Sequence, residues 1–314
     1  MDKNGNSNQL AQSPLPLHAF LILLLFGVGG FLAIGPILGM LLVLPFFGLE
    51  FNQLIQALGD PLSHPEAKVP IYIIQGITTL VGFIVIPWLY LQRVGIHPVS
   101  HFFQQKVVPG ALFLTGVIVI CFMVVNAPFI EWNANVKLPE FLSSFEQWAS
   151  QNEHLFKELT EYLTLFDSPW EFLLGLIVIA VIPAVGEELF FRGLIQNQFR
   201  FLFKNIHLAI WVTAVAFSAF HLQFYGLVPR ILLGALFGYL YFWSQNLLVP
   251  IIAHFVNNGF TISLVYFAQL GIIDFDIEST GEISPLPVIL FAIITFSMIF
   301  YFRKMHTNPT GSYE

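Results

Sequence analysis

Three short stretches of this 314-residue chain place ionisable side chains inside otherwise apolar sequence. The first is Gly186-Glu187-Glu188-Leu189-Phe190-Phe191-Arg192, the second Phe217-Ser218-Ala219-Phe220-His221, the third His254-Phe255-Val256-Asn257-Asn258. On a helix Glu188 and Arg192 stand at i and i+4, the spacing that lets opposite charges pair along one face. Glu187 lies about 100° further round and has no partner in its own helix. His254 and Asn258 also stand at i and i+4, so an imidazole and an amide share a face. A carboxylate, two imidazoles and an amide in a low-dielectric setting are the parts needed to activate water. Glu187 is expected as general base with His221 helping to hold the water, and His254 and Asn258 as donors to a developing oxyanion. The same residues permit a second reading, in which Glu187, His221 and His254 ligate a zinc ion with water in its fourth position. Spacing does not separate the two, and both are hydrolytic. Ser218 is three residues from His221 on the same helix without a glycine-rich elbow, so it is not read as a nucleophile. Asn257 is read as a packing neighbour of Asn258.

The elements that carry these residues follow from composition. Hydrophobic residues make up 56% of the chain, charged residues 10%, and mean hydropathy is +0.77. A soluble domain carries about 25% charged residues, and one core of this size could not bury so much apolar surface. The expected fold is therefore all-α, a polytopic membrane helical bundle. Eight spans near the ~20 residues needed to cross the hydrocarbon are expected at 17–45, 70–91, 108–130, 170–191, 208–225, 228–247, 250–270 and 286–302. Gly35-Pro36 predicts a kink in the first. The chain divides into a polar tail (1–16), a three-span region (17–130), a connection (131–168), a core of the remaining spans (169–302) and a second tail (303–314). The connection repeats apolar residues at helical spacing (Phe141, Phe145, Trp148, Leu155, Leu159, Leu163) and predicts one or two amphipathic helices lying along the membrane surface.

Basic residues fall in alternate connections: Arg93 and Lys106, Arg200 and Lys204, Arg303 and Lys304. The 131–168 connection holds seven carboxylates against two lysines, and 271–285 holds Asp274, Asp276, Glu278 and Glu282 with no basic residue. The positive-inside rule then places both termini in the cytoplasm and 131–168 outside it; Arg230 is the one exception. On this topology Glu187 lies near the cytoplasmic end of the fourth span, and substrate arrives from the cytoplasmic side. A net charge of −7 without a basic run excludes nucleic acid as partner. A single cysteine, Cys121, excludes an internal disulfide and a multi-cysteine metal site.

Glu187-Glu188-x-x-x-Arg192, Phe217-x-x-x-His221 and His254-x-x-x-Asn258, in that order, resemble the motifs of the CPBP intramembrane proteases, which include the CAAX prenyl proteases of the Rce1 type and the bacterial Abi proteins. The resemblance covers about 170–270. It implies an eight-helix fold and an endopeptidase that uses a glutamate-activated water within the membrane. It also implies Glu187 and His221 on the water, His254 and Asn258 on the oxyanion, and Glu188 and Arg192 in support. A metal-free site is favoured, since the chain has no His-Glu-x-x-His helix; no cofactor is expected, with zinc as the alternative. The implied partners are the bilayer and a peptide or lipidated protein substrate, and the implied place is a bacterial inner membrane. Two rival classes are a silent membrane scaffold or immunity protein, and a proton-coupled transporter.

Overall fold

The computed structural model describes residues 15–274 and 284–307. All but the last two residues of the expected 1–16 tail lie outside them, as do Asp276, Glu278, Glu282 and residues 308–314. The described residues are helices and turns, with one isolated antiparallel bridge, Phe103–Asn246. Seven helices are long and apolar enough to cross a membrane: α1 Leu17–Phe47, α2 Pro65–Arg93, α3 Pro109–Ala134, α5 Pro169–Phe203, α7 Phe224–Ser244, α8 Leu248–Gln269 and α9 Pro285–His306. The expected 131–168 connection contains a single long helix, α4 Ser143–Thr164. The expected fifth span is shorter than a full crossing. It is the helix α6 Ile206–Phe220, which stops at His221 instead of continuing to 225. The structure thus has seven helices of crossing length among the described residues where eight spans were expected, with α6 packed along α7.

Proline sets the local form of the long helices. Pro36, Pro87 and Pro183 each follow a π-helical turn by two residues: Gly30–Ile34, Leu80–Val85 and Leu176–Val181. Proline has no N–H for the carbonyl four residues back and its ring crowds that carbonyl. A widened turn takes up the misfit without ending the helix. The kink expected at Gly35-Pro36 is this device. Near it the first two spans approach to backbone contact. A Cβ on Gly35 would stand 2.6 Å from Thr78 Cα, and one on Gly82 would stand 2.6 Å from Phe31 N. Small residues at such crossings let lipid-embedded helices gain contact where the hydrophobic effect does not drive them together.

Contacts tie each end of the bundle. At one end Leu247 N–H donates to Phe102 O at 2.9 Å, joining the connection after α2 to the one after α7. Arg93, Lys106, Arg200, Lys204, Arg303 and Lys304 belong to this end by chain position. At the other, Lys68 of α2 reaches the Leu165 carbonyl and pairs with Glu171 at 3.1 Å, and the Tyr72 hydroxyl donates to Leu163 O. The charge segregation read from the sequence is thus a segregation between the two ends of the bundle. Between them lies an aromatic cluster, with Phe83 stacked on Phe31 and on Phe190 at 4.6 Å each.

The close crossing is directly testable. Gly82→Ala should overpack α1 against α2 and cost ~1–3 kcal/mol, read as a lower thermal midpoint in detergent. An unchanged midpoint would show that the helices do not cross this closely.

Candidate active site

The polar residues of the three motifs converge where α5, α6, α7 and α8 meet. From Glu188 to Gln196 helix α5 is π-helical, so the backbone that carries the first motif is itself wound wide. Glu187 stands about midway along the 35-residue α5. The expected placement near the end of a span ending at 191 is not met within the helix, because α5 continues unbroken to Phe203.

Glu188 and Arg192 are fully buried. The expected pair is formed, with Arg192 Nη1 donating to Glu188 Oε1 at 2.7 Å. Arg192 Nη2 donates to the Gly234 carbonyl of α7 at 3.0 Å. Its guanidinium lies 4.5 Å from the Phe217 ring centroid of α6 and 5.5 Å from that of Phe237 on α7. The same Glu188 oxygen also meets His254 Nδ1 of α8 at 2.8 Å. One carboxylate oxygen therefore holds a cation and an imidazole from different helices. Removing one member of such a buried set typically costs ~3–5 kcal/mol, because a charge is left stranded.

The two imidazoles are oriented from behind. A carboxylate oxygen held by arginine accepts, so His254 Nδ1 carries the hydrogen. His221 Nδ1 lies 2.9 Å from the Phe217 carbonyl, an obligate acceptor, and likewise carries the hydrogen. Such contacts fix the tautomer and turn the other nitrogen forward. Both Nε2 atoms then face Glu187: His221 Nε2 is 3.9 Å and His254 Nε2 4.0 Å from Glu187 Oε2. That carboxylate oxygen is buried and has no hydrogen-bond partner. Phe217 is the common wall, with its ring 5.0 Å from that of His221 and 6.0 Å from that of His254.

Asn258 has a backbone task. Its Nδ2 donates to Ile179 O at 3.0 Å. Ile179 is four residues before Pro183, which has no N–H to offer it. Asn257 Nδ2 in turn donates to Asn258 Oδ1 at 3.0 Å, the neighbour role read for it. Ser218 Oγ donates to Leu227 O at 2.7 Å and so serves the α6–α7 packing.

The fit to zinc can be judged from spacing. Bonds of ~2.0–2.1 Å to a tetrahedral ion put two ligand atoms ~3.3 Å apart. The separations of 3.9 and 4.0 Å are wider than that. Among the described residues no three His, Cys, Asp or Glu side chains close to metal-ligand geometry.

Sequence reading gave Arg230 no part in the site. It was counted only as an exception to the charge rule, although a cation inside an apolar span is itself the signal of a working residue.

Residues 169–260 match the family model described as type II CAAX prenyl endopeptidase Rce1-like. The matched stretch starts with α5, ends within α8 and contains all three motifs. An uncharacterized protein of Bacillus subtilis, YpbD, is 28% identical over 85 residues, covering 26% of this chain. The chain spans 40% of the length of that relative. No solved structure matches. With seven helices long enough to cross, this is an integral multi-pass membrane protein.

The asparagine task gives a stability test. Asn258→Leu should cost ~1–3 kcal/mol, the usual cost of an orphaned buried carbonyl. In a Pro183→Ala background, where the introduced alanine restores a backbone N–H, the same change should cost clearly less. Equal cost in both backgrounds, read by thermal unfolding, would refute the coupling.

Proposed function

We propose that this protein is an intramembrane endopeptidase that hydrolyses a peptide bond of a membrane-associated substrate with water activated by Glu187. The observation that carries the reading is the partnerless Glu187 Oε2, buried and faced at 3.9 and 4.0 Å by two imidazole nitrogens whose other nitrogens are tied back. These gaps exceed a direct hydrogen bond and admit one water that donates to Glu187 Oε2 and to His221 Nε2. The water oxygen attacks the carbonyl carbon while its proton passes to Glu187. The carbonyl π pair moves to oxygen. On collapse the C–N bond breaks, and Glu187 returns the proton to the leaving nitrogen.

His254 and Asn258 contribute on the oxygen side of the carbonyl. His254 donates from Nε2 only as imidazolium, and Asn258 keeps one N–H beyond that given to Ile179. Glu188 and Arg192 act by holding His254. A dry aromatic wall strengthens every charge interaction within. The ligand-atom spacing favours the metal-free mechanism over zinc held by Glu187, His221 and His254.

The Rce1-like match supports a substrate that is a lipidated protein or the juxtamembrane part of a membrane peptide. The segregated charges support both termini in the cytoplasm and α4 on the opposite side, and the motif resemblance suggests a bacterial inner membrane. A transporter would favour repeats around broken helices, which the sequence lacks. A silent scaffold gives no reason to keep a partnerless carboxylate in the membrane.

Glu187→Gln in vesicles should leave a folded protein whose cleavage of a farnesylated peptide ending in a Cys-aliphatic-aliphatic-X sequence falls ~10²–10⁴-fold. Retained cleavage would remove Glu187 from the chemistry. Chelators should leave the wild-type rate unchanged, and stoichiometric zinc by elemental analysis with chelator-sensitive cleavage would overturn the metal-free reading.

A further inference from the structure

Arg230 lies on α7 one helical turn before Gly234, whose carbonyl holds Arg192, and so belongs to the α7 face that borders the site. The first turn of α7 is clamped from α3. Asn126 Nδ2 donates to Pro229 O at 3.1 Å, Asn133 Nδ2 donates to Phe224 O at 3.1 Å, and Val228 N–H donates to Asn133 Oδ1 at 2.7 Å. The guanidinium is aimed from the other side as well. Arg230 Nη2 donates to Gln223 Oε1 at 3.0 Å, and Gln223 Nε2 reaches Glu153 Oε1 of α4 at 3.4 Å. A Cβ at Gly226 would sit 3.1 Å from Nη2, so glycine there leaves room for the head group. Arg230 Nη1 remains buried without any hydrogen-bond partner, while Nη2 is held by Gln223, two residues after His221.

We propose that Arg230 Nη1 donates to the scissile carbonyl oxygen and takes up the negative charge that develops on it, making Arg230 a catalytic residue. The inference rests on the protease reading above. Arg230 is half-buried, and an enclosed Nη1 with no partner is costly to keep in an apolar span; the cost is offset when charge appears opposite it. The reaction creates such a charge, transiently, beside Glu187. His254 and Asn258 each have part of their donor capacity committed to Glu188 and Ile179; Arg230 commits Nη2 to Gln223 but keeps Nη1 free, on a guanidinium whose delocalised charge is permanent. A donor fixed before the reaction and complementary to the transition state lowers the barrier without tightening ground-state binding.

The test uses full-length protein in vesicles and an internally quenched farnesylated peptide ending in Cys-aliphatic-aliphatic-X, made with a free carboxylate and as the carboxamide. Arg230→Gln should lower kcat by ~10²–10³-fold, the usual effect of losing an oxyanion donor, with KM little changed and both peptides affected alike. Arg230→Lys keeps the charge but loses the fork, and should recover part of kcat; if the glutamine variant fails to fold, an intermediate kcat at unchanged KM in the lysine variant carries the test. An unchanged kcat overturns the proposal. A loss confined to KM, or to the carboxylate peptide, also overturns it and makes Arg230 a binder of the substrate's chain end. Glu187→Gln runs in parallel. If it abolishes cleavage while the Arg230 variants keep kcat, this inference alone fails; if the wild-type protein itself leaves both peptides uncut, the protease reading fails and takes this inference with it.

Discussion

One carboxylate oxygen, Glu188 Oε1, organises the interior of this bundle. It accepts from Arg192 on its own helix and from His254 on α8, while Arg192 reaches the Gly234 carbonyl of α7 and lies over the Phe217 ring of α6. Four helices are thereby referred to a single, fully buried point. Lipid tails are as apolar as leucine, so apolar packing alone would leave the register of these helices weakly defined. A fully buried ion set with angular requirements defines it sharply. The proposed general base is the neighbouring residue, so the register that satisfies Glu188 also delivers Glu187 to the two imidazoles.

Proline and asparagine supply a second layer of order. Each proline in a long helix removes a backbone donor, and each widened turn shifts the face that follows. At Pro183 the freed carbonyl is met by Asn258 from across the bundle. A defect in one helix is thus turned into a contact with another, four residues before Glu187. The asparagines of α3 do similar service for the start of α7. Side-chain amides are well suited to the role because they carry no charge and hold donor and acceptor together.

Much of this was legible in the sequence. The Glu188–Arg192 pair follows from spacing, the helical class from composition, and the gathering of Glu187, His221 and His254 from the cost of polar groups in hydrocarbon. The amphipathic helix between the third and fourth spans was visible as a period. The length of the expected fifth span was not, because Leu222 and its neighbours are as apolar as a continuing helix, while Leu222 adopts a left-handed backbone (φ 57°) that ends it. Nor could spacing show that Asn258 turns to Ile179, since that needs the register between α5 and α8. Arg230 is visible in the sequence as a charge that bears on topology; its partner Gln223 and the Glu153 that Gln223 reaches in turn lie 7 and 77 positions away.

The brevity of α6 has a consequence for the surrounding lipid. Fifteen helical residues rise only ~22 Å, against a hydrocarbon thickness of ~30 Å. Leu208, Trp211 and Val215 lie along one exposed face of this helix, so α6 borders the bilayer. Beside a helix this short, either the bilayer thins or the chain that follows completes the apolar path, and both bring the polar interface closer to His221, where α6 ends. Membrane thickness becomes a variable of the protein's working environment, set by where one helix stops.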